Sequence, residues 1–314
     1  VCIMSLSAAE QYMLELVNRA RMDPAGEAAR QGIALNQGLA AGTLGTEIRA
    51  PLASNAELEA AAIGHSQWML AADVFSHVGA GGSSMAQRAK AAGYDWNSIG
   101  ENISWRGSTG RIDLTLLIEQ QHNDLFKSAS HRLNILNDRF REIGIAQEAG
   151  LFTTGGRNYN ASMVSQEFGR SGTDYFLTGV AYTDRNGNAF YNVGEGAAGV
   201  VLTVGGASAT TGEAGGYALA IGTGAPLEVS GSVGALGFTA TLAANTGNVK
   251  LDVVGGNTFF TSGDLTLGTG INNVRLLGAD TLDATGNAAA NRMDGNGAAN
   301  LLAGITHALA LVGF

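Results

Sequence analysis

The sequence has little cysteine and little charge. A single cysteine, Cys2, occurs among the 314 residues, so no disulfide can form within the chain. Only 14% of the residues are charged, and the formal net charge is -9. This acidic balance argues against general binding to nucleic acids or to anionic membranes. Hydrophobic residues make up 45% of the chain, which is ample for a core.

Long apolar runs are also missing. No stretch approaches the roughly 18 apolar residues that a membrane-spanning helix needs. Residues 1–5 lack the basic and long apolar regions of a signal peptide. We therefore expect either that a leader was removed before Val1 or that export uses another route.

Composition changes near residue 172. Four of the five histidines and all three tryptophans precede this point, whereas Gly, Ala, Thr, Val and Asn dominate after it. The later part has 4 basic residues against 10 acidic ones. From these shifts and from the repeats described below, we predict domains at residues 1–171, 172–255 and 256–314.

The first part combines helical spacing with strand alternation. Ser7 and Glu10 have the spacing of a capping box, and Asn55 can cap a second helix. The predicted helices run through residues 7–20, 55–69, 85–93 and 114–125, and the predicted antiparallel strands through residues 143–146 and 163–168. The first part is therefore predicted to be α+β, with helices packed on a small sheet.

Three short motifs carry polar groups suited to one site. They are Phe75-Ser76-His77, Gly100-Glu101-Asn102-Ile103 and residues 128–136, which read Ser-Ala-Ser-His-Arg-Leu-Asn-Ile-Leu. In the third motif, His131 and Arg132 follow a helix-like run and lead into a strand-like apolar segment. In order and composition these motifs resemble the CAP superfamily of cysteine-rich secretory proteins, antigen 5 and plant pathogenesis-related proteins. The missing disulfides fit the bacterial branch of that family.

The resemblance implies an α-β-α sandwich over roughly residues 7–169, with an open cleft. His77, Glu101 and His131 match three members of the family's tetrad of two histidines and two acids. The second acid is either Asp124 or Glu119. A zinc ion or another divalent cation bound by His77 and His131 is one expectation, and a purely hydrogen-bonded cleft is the alternative.

Three further polar residues have structural interpretations. His65 lies on the apolar face of a predicted helix, which indicates a buried, hydrogen-bonded histidine. His122 is expected at the cleft edge or on the surface. Arg132 is expected to pack or to pair with a carboxylate.

The second part is predicted to be a β-sandwich. Strand-like segments separated by Gly-rich turns occur at residues 175–182, 199–204, 217–221, 227–229, 238–242 and 249–254. Gly215-Gly216-Tyr217 resembles the carboxypeptidase-regulatory and Sdr B-type modules of bacterial surface proteins.

A calcium-type loop follows the first of these strands. Asp184, Asn186, Asn188 and Glu195 supply oxygen side chains at positions 1, 3, 5 and 12, the ligand spacing of a calcium loop. Glycine stands at position 4 rather than 6, so the loop is not a regular EF-hand. A weak calcium site that fills at extracellular concentrations is favoured over a plain polar β-turn.

The tail repeats a nine-residue unit. Gly286–Asp294 is followed directly by Gly295–Ala303, each with Gly-Asn at the start and Asn at position 6. The unit is similar to the RTX nonapeptide of secreted β-roll proteins. Asn replaces the calcium-binding Asp, so a roll without metal, or a linker, is favoured. These repeats, the missing signal peptide and the apolar residues 308–314 suggest type I secretion.

Three functions remain open at this stage. The favoured one is an extracellular CAP protein whose cleft, with His77, Glu101, Asp124 and His131, binds a small or extended ligand such as a lipid, sterol, glycan or peptide. The alternative is a hydrolase, a protease or esterase, with His131 as base, Glu101 as its orienting acid and His77 also required. The third is a structural or adhesive surface protein. The oligomeric state is left open.

Overall fold

A computed structural model describes residues 6–304 and the backbone of residues 309–312. Cys2, Thr306, His307 and the side chains of the apolar segment 308–314 lie outside the described residues. The chain divides into two units, residues 1–173 and 174–314, and the predicted segments 172–255 and 256–314 fall in the same unit. None of the described helices is both long and apolar enough to cross a membrane. The predicted α+β class, with an α-β-α sandwich followed by β-structure, is confirmed.

Within residues 6–173, six helices pack on a four-stranded sheet of order β1-β3-β4-β2. The helices are α1 (Ala8–Met22), α2 (Pro24–Arg30), α3 (Ala56–Ala72), α4 (Met85–Ala91), α5 (Leu114–Lys127) and α6 (Ala129–Ile135). The strands are β1 (Ala53–Ser54), β2 (Trp96–Ser108), β3 (Glu142–Thr154) and β4 (Arg157–Ser171). Helices α3 and α4 pack together against the sheet, as do α1 and α5.

Local signals in the sequence fix most helix starts. The Ser7 hydroxyl accepts a bond from the backbone N–H of Glu10, and the Glu10 carboxylate accepts one from the Ser7 N–H, which confirms the capping box. Asn55 caps α3 as predicted. Gly144 is needed where α3 crosses β3, because a Cβ there would lie 2.0 Å from the carbonyl carbon of Leu58.

The expectation of a strand after His131 is wrong. Residues 129–135 form α6, because extended backbone at Ser128 (ψ 125°) ends α5 and a new helix starts at once. Ile135 and Leu136 are buried at its C-terminal end, so their apolar character reflects helix packing rather than a strand.

The second unit contains two seven-stranded sheets. Its strands are β5 (Tyr175–Tyr182), β6 (Val201–Val204), β7 (Ala207–Thr210), β8 (Gly216–Ile221), β9 (Leu227–Val233), β10 (Leu236–Leu242), β11 (Val249–Val254), β12 (Thr258–Thr261), β13 (Leu265–Leu267), β14 (Asn273–Leu276), β15 (Ala284–Thr285), β16 (Asn291–Asp294), β17 (Leu302–Ala303) and β18 (Leu309–Val312). One sheet has the order β17-β15-β13-β10-β9-β6-β7 and the other β18-β16-β14-β12-β11-β5-β8. All six predicted strand segments of residues 175–254 are confirmed as strands.

From β12 onward the chain alternates between these two sheets. Strands β12, β14, β16 and β18 pair in parallel in one sheet, and β13, β15 and β17 pair in parallel in the other. Each turn therefore adds one strand to each sheet, which is a roll-like arrangement. Buried apolar residues such as Val274, Leu282 and Met293 fill the space between the sheets.

Asparagine side chains link successive turns of this roll. The amide nitrogen of Asn291 donates to the backbone carbonyl of Asn272 in the previous turn (2.8 Å) and to Oδ1 of Asn287 (2.8 Å). Nine residues later, Asn300 donates in the same way to the carbonyl of Leu282 and to Asn296. The repeated asparagines thus satisfy backbone carbonyls that the turns would otherwise leave unpaired.

The Asn291→Ala substitution is expected to destabilise the second unit by about 1–3 kcal/mol, because it leaves the half-buried Asn272 carbonyl without its donor. Urea denaturation followed by circular dichroism measures this loss. Tryptophan fluorescence reports the unfolding of the first unit alone, because that unit holds every tryptophan of the chain. Thr281→Ala, an exposed substitution in the same turns, is the control, and an equal loss in both variants would contradict the role of the amide.

Candidate functional site

Strand β2 places the central residue of the site. Glu101 lies on this edge strand, directly opposite Glu167 on β4. Its neighbours are constrained as well, because a Cβ on Gly100 would lie 2.7 Å from the Phe140 ring. Successive side chains of a strand point to opposite faces, so Glu101 and Asn102 reach different groups.

Glu101 is a buried hub, with a side chain only 1% exposed. One carboxylate oxygen lies 2.7 Å from Nδ1 of His77, whose side chain is 58% exposed. The other oxygen accepts a bond from the guanidinium of Arg88 on α4 and lies 3.6 Å from Nε2 of His65 on α3. Arg88 also donates to the backbone carbonyl of His77, so one arginine fixes both partners.

Glu167 is the second acid at this hub. Burial, followed by the charge of Glu101, raises the pKa of Glu167 well above its ordinary value. Burial alone would also raise the pKa of Glu101, but hydrogen bonding from Glu167, the charge of Arg88 and the bond to His77 hold it below its ordinary value. The two shifts are opposite, so of this pair Glu167 binds a proton more tightly than Glu101 does. Residue patterns alone did not indicate Glu167, because only the β2–β4 register brings the two acids together.

On the other face of β2, amides anchor the third motif. The amide nitrogen of Asn102 donates to the backbone carbonyl of His131 (3.3 Å), and that of Asn134 donates to Oδ1 of Asn102 (2.9 Å). These bonds tie α6 to the strand that carries Glu101. Burial lowers the pKa of His131, and the nearby charge of His77 lowers it further.

A cleft of about 320 Å³ opens beside His131. It is lined by Phe75, Ile103, Ser104, Trp105, Asp124, Leu125, Ser128 and His131. Residues from all three sequence motifs and from α5 contribute to this lining. They can meet there because β2 is an edge strand, so elements on both faces of the sheet have access to its free edge. Its lining combines apolar side chains with polar ones.

The two candidates for the fourth residue lie in different places. Asp124 lines the cleft, but its carboxylate forms a bidentate pair with Arg106, with contacts of 2.6 and 2.9 Å. Glu119 is hydrogen-bonded to Tyr12 of α1. Neither contacts Glu101 among the described interactions, where the second acid is Glu167.

One expectation about neighbouring residues is wrong, and two are confirmed in part. His122 is fully buried, 3.3 Å from Glu27, rather than at the cleft edge, because its face of α5 packs towards α1 and α2. Arg132 is buried and packed, as expected, but it donates to the backbone carbonyls of Phe126, Lys127 and Gln37 rather than to a carboxylate. The prediction that His65 is buried is confirmed, but its Nε2 lies 3.6 Å from Glu101, which is longer than a hydrogen bond.

The donor set does not fit a catalytic metal centre of the usual kind. Such centres use three protein ligands, and no group of three His, Cys, Asp or Glu side chains in the described residues is arranged to hold an ion. Both Glu101 oxygens are engaged, one of them by the cationic Arg88. A divalent cation at His77 and His131 stays a prediction, and no step of the function below depends on it.

The calcium-type loop is folded as a series of tight turns. The Asp184 carboxylate accepts bonds from the backbone N–H groups of Gly187, Asn188 and Ala189. The Glu195 carboxylate accepts bonds from those of Arg185 and Asn192.

The two asparagines of the loop are occupied in the same way. Oδ1 of Asn186 accepts a bond from the N–H of Asn188, whose own Oδ1 accepts one from Phe190. The oxygen atoms with calcium spacing therefore cap backbone groups of one loop, and calcium binding there stays a prediction.

The Glu167→Gln substitution tests the proton on Glu167. A folded-state pKa above the unfolded value means that the native protein binds the extra proton, so stability falls as pH rises from about 4.3 towards the folded pKa. Glutamine has no proton to lose, so the variant should gain stability relative to the parent, by up to about 1.4 kcal/mol per pH unit in that window.

Urea unfolding followed by tryptophan fluorescence, at several pH values between about 4 and 7, measures this difference. Glu47→Gln, at a side chain that is 80% exposed, is the control. A stability difference between Glu167→Gln and the parent that does not change with pH would contradict the assignment.

Known proteins resemble parts of this chain in sequence or fold. No curated protein matches the sequence. An extracellular protein with an SCP domain from Bacillus anthracis str. Ames aligns at 19% identity and a TM-score of 0.33, over 52% of this chain but only 40% of that one. An outer surface protein from Borrelia burgdorferi aligns at 19% identity and a TM-score of 0.29, over 38% of this chain and 78% of that one. Residues 14–150 match the model of the cysteine-rich secretory protein family, CAP, and we conclude that the first unit of this chain contains a CAP domain.

Proposed function

We propose that the protein is extracellular and that its CAP-domain cleft binds an amphipathic ligand. The observation that carries the proposal is a cleft lining that combines apolar side chains with an imidazole. Phe75, Ile103, Trp105 and Leu125 are its apolar members, and His131 is a polar one. The volume of about 320 Å³ suits one short acyl chain or one large side chain.

Exposed apolar residues continue from the cleft along the loop after α3. Val74, Phe75 and Val78 are 40%, 41% and 56% exposed. Apolar residues clustered at the mouth of a cleft are typical of a binding surface. The same loop carries His77, so a ligand on these residues would lie beside the Glu101 hub.

One polar atom of the cleft lining is without a hydrogen-bond partner among the described residues. Nδ1 of His131 is a buried atom that contacts no hydrogen-bond partner in the described part of the chain. Since a buried polar atom gains from a partner, a ligand head group would supply one. Ser128 also lines the cleft.

An extracellular location is supported by the CAP domain, whose family is described as secretory. The roll-like second unit and its nonapeptides are consistent with an RTX-like, Sdr B-like appendage and with type I secretion. We propose these assignments of the second unit and of the secretion route together with a bacterial origin.

Binding can be followed through Trp105, which lines the cleft. Lauric acid and short peptides with one large apolar side chain serve as separate probes, so that a lipid and a peptide ligand can be told apart. We expect saturable changes in tryptophan fluorescence with one class of probe. Phe75→Ser should weaken this binding roughly tenfold, since it removes apolar contact area.

Leu116→Ser is the matched control, because Leu116 is 53% exposed but is not among the residues that line the cleft. An equal effect of both substitutions, or no fluorescence change with either probe class, would count against the proposed function.

A hydrolase is the second candidate, and one contact favours it. The 2.7 Å bond between His77 and Glu101 holds the imidazole so that its Nε2 faces away from the acid, as in a general base. The hypothesis from the sequence has His131 as the base, whereas Glu101 contacts His77. A nucleophile is less evident, because the Ser76 hydroxyl accepts a bond from the Val78 N–H.

A panel of peptide and ester substrates tests this candidate against the double variant His77→Ala/His131→Ala. If the protein only binds ligands, no substrate should be turned over by the parent at rates above those of the double variant. Turnover that is lost in the folded double variant would replace the binding function with hydrolysis.

A further inference from the structure

A second cleft lies within the second unit, far in sequence from the residues of the CAP domain. Its volume is about 480 Å³, within the range of roughly 300–1,000 Å³ that small-molecule sites occupy. The loop that begins at Thr183 forms one wall. The outer face of the sheet that contains β12, β14 and β16 forms the floor.

Parallel pairing places the floor residues in two rows. Phe260, Arg275 and Asp294 are register partners on β12, β14 and β16. Thr258, Asn273 and Arg292 form the adjacent row on the same strands. The intervening residues, such as Val274 and Met293, face the core, so both rows belong to the outer face.

The charged and aromatic side chains that line this cleft indicate the class of ligand that it can bind. Two arginines, Arg275 and Arg292, stand beside two aspartates, Asp184 and Asp294, so charge is balanced and a polyanion gains little. The one aromatic residue, Phe260, is 7% exposed and lies under the Arg275 guanidinium at 5.6 Å. An apolar ligand would therefore find no open surface here.

The polar groups of the floor are held in place before any ligand arrives. Oδ1 of Asp294 accepts a bond from Nε of Arg292 (2.9 Å), and Oδ1 of Asn273 accepts one from the Arg292 N–H. Nδ2 of Asn273 donates to the carbonyl of Asn257, whose Oδ1 accepts a bond from Thr258. Fixed groups lose little entropy on binding, which favours affinity.

These bonds leave particular atoms for a ligand. Within the described residues, no hydrogen bond is formed by Oδ2 of Asp294, by Nδ2 of Asn257 or by the two terminal nitrogens of Arg292. The Arg292 side chain is 63% exposed. At Arg292 and Asp294 an acceptor thus lies beside donors, the arrangement that neighbouring hydroxyl groups match, because each hydroxyl both donates and accepts.

We propose that this second cleft is a binding site for a neutral saccharide, with Asp294 accepting from and Arg292 donating to one pair of neighbouring hydroxyls, and with Asn257 donating to a hydroxyl elsewhere on the ligand. The site is separate from the CAP cleft and does not depend on the function proposed for it. It gives the second unit a recognition role of its own.

A glycan array that spans neutral and anionic glycans, probed with the full chain, tests the proposal first. Isothermal titration with the best neutral oligosaccharide then compares variants. Asp294→Asn and Arg292→Met should each weaken binding roughly tenfold to a hundredfold, since each removes a charged hydrogen-bond partner. Arg292 is exposed, so its variant stays informative even if Asp294→Asn disturbs folding.

Two control variants should bind as the parent does. Glu228→Gln changes an exposed carboxylate on the other sheet, and His131→Ala changes the CAP cleft. Binding only to anionic glycans, or to no glycan, would overturn the proposal. So would a loss of saccharide binding in His131→Ala with none in Asp294→Asn and Arg292→Met, because that result moves the site to the first unit.

Discussion

The first unit depends on one buried carboxylate, that of Glu101. A charge in the interior is costly unless it is paired and hydrogen-bonded, and Glu101 meets this requirement through Arg88 and His77, with Glu167 opposite it on β4. These partners come from a helix, a loop and a neighbouring strand. The need to satisfy this single group therefore fixes where α4, the loop after α3 and β4 meet.

Much of this arrangement could be predicted from the sequence, but the reasons differ between residues. His77, Glu101 and His131 were found because their short motifs resemble a family pattern. The helix caps were found because a cap is local, as Ser7 and Asn55 show. Glu167 was missed because its role depends on the strand register that pairs it with Glu101, which lies 66 positions earlier in the chain. No local pattern specifies that register.

The incorrect expectations share a physical cause. His122 has the polar neighbours of a surface residue, yet burial next to Glu27 satisfies its ring through a tertiary contact. Residues 129–136 have apolar positions that fit either a strand or a short helix, and the extended backbone of Ser128 decides between them. In both places tertiary packing overrides what a short window of sequence favours.

The two units solve the same problem, buried polar groups, in different ways. In the CAP domain, the Arg88 cation and the His77 imidazole contact Glu101, so a cation brought to that carboxylate would have to displace Arg88 or His77. In the roll, neutral amides satisfy the buried groups, since Asn291 donates to a carbonyl of the preceding turn and to a second asparagine. An aspartate at that position could not donate, and its charge would then need a cation for balance. The asparagines therefore link successive turns by hydrogen bonds that an aspartate could not form.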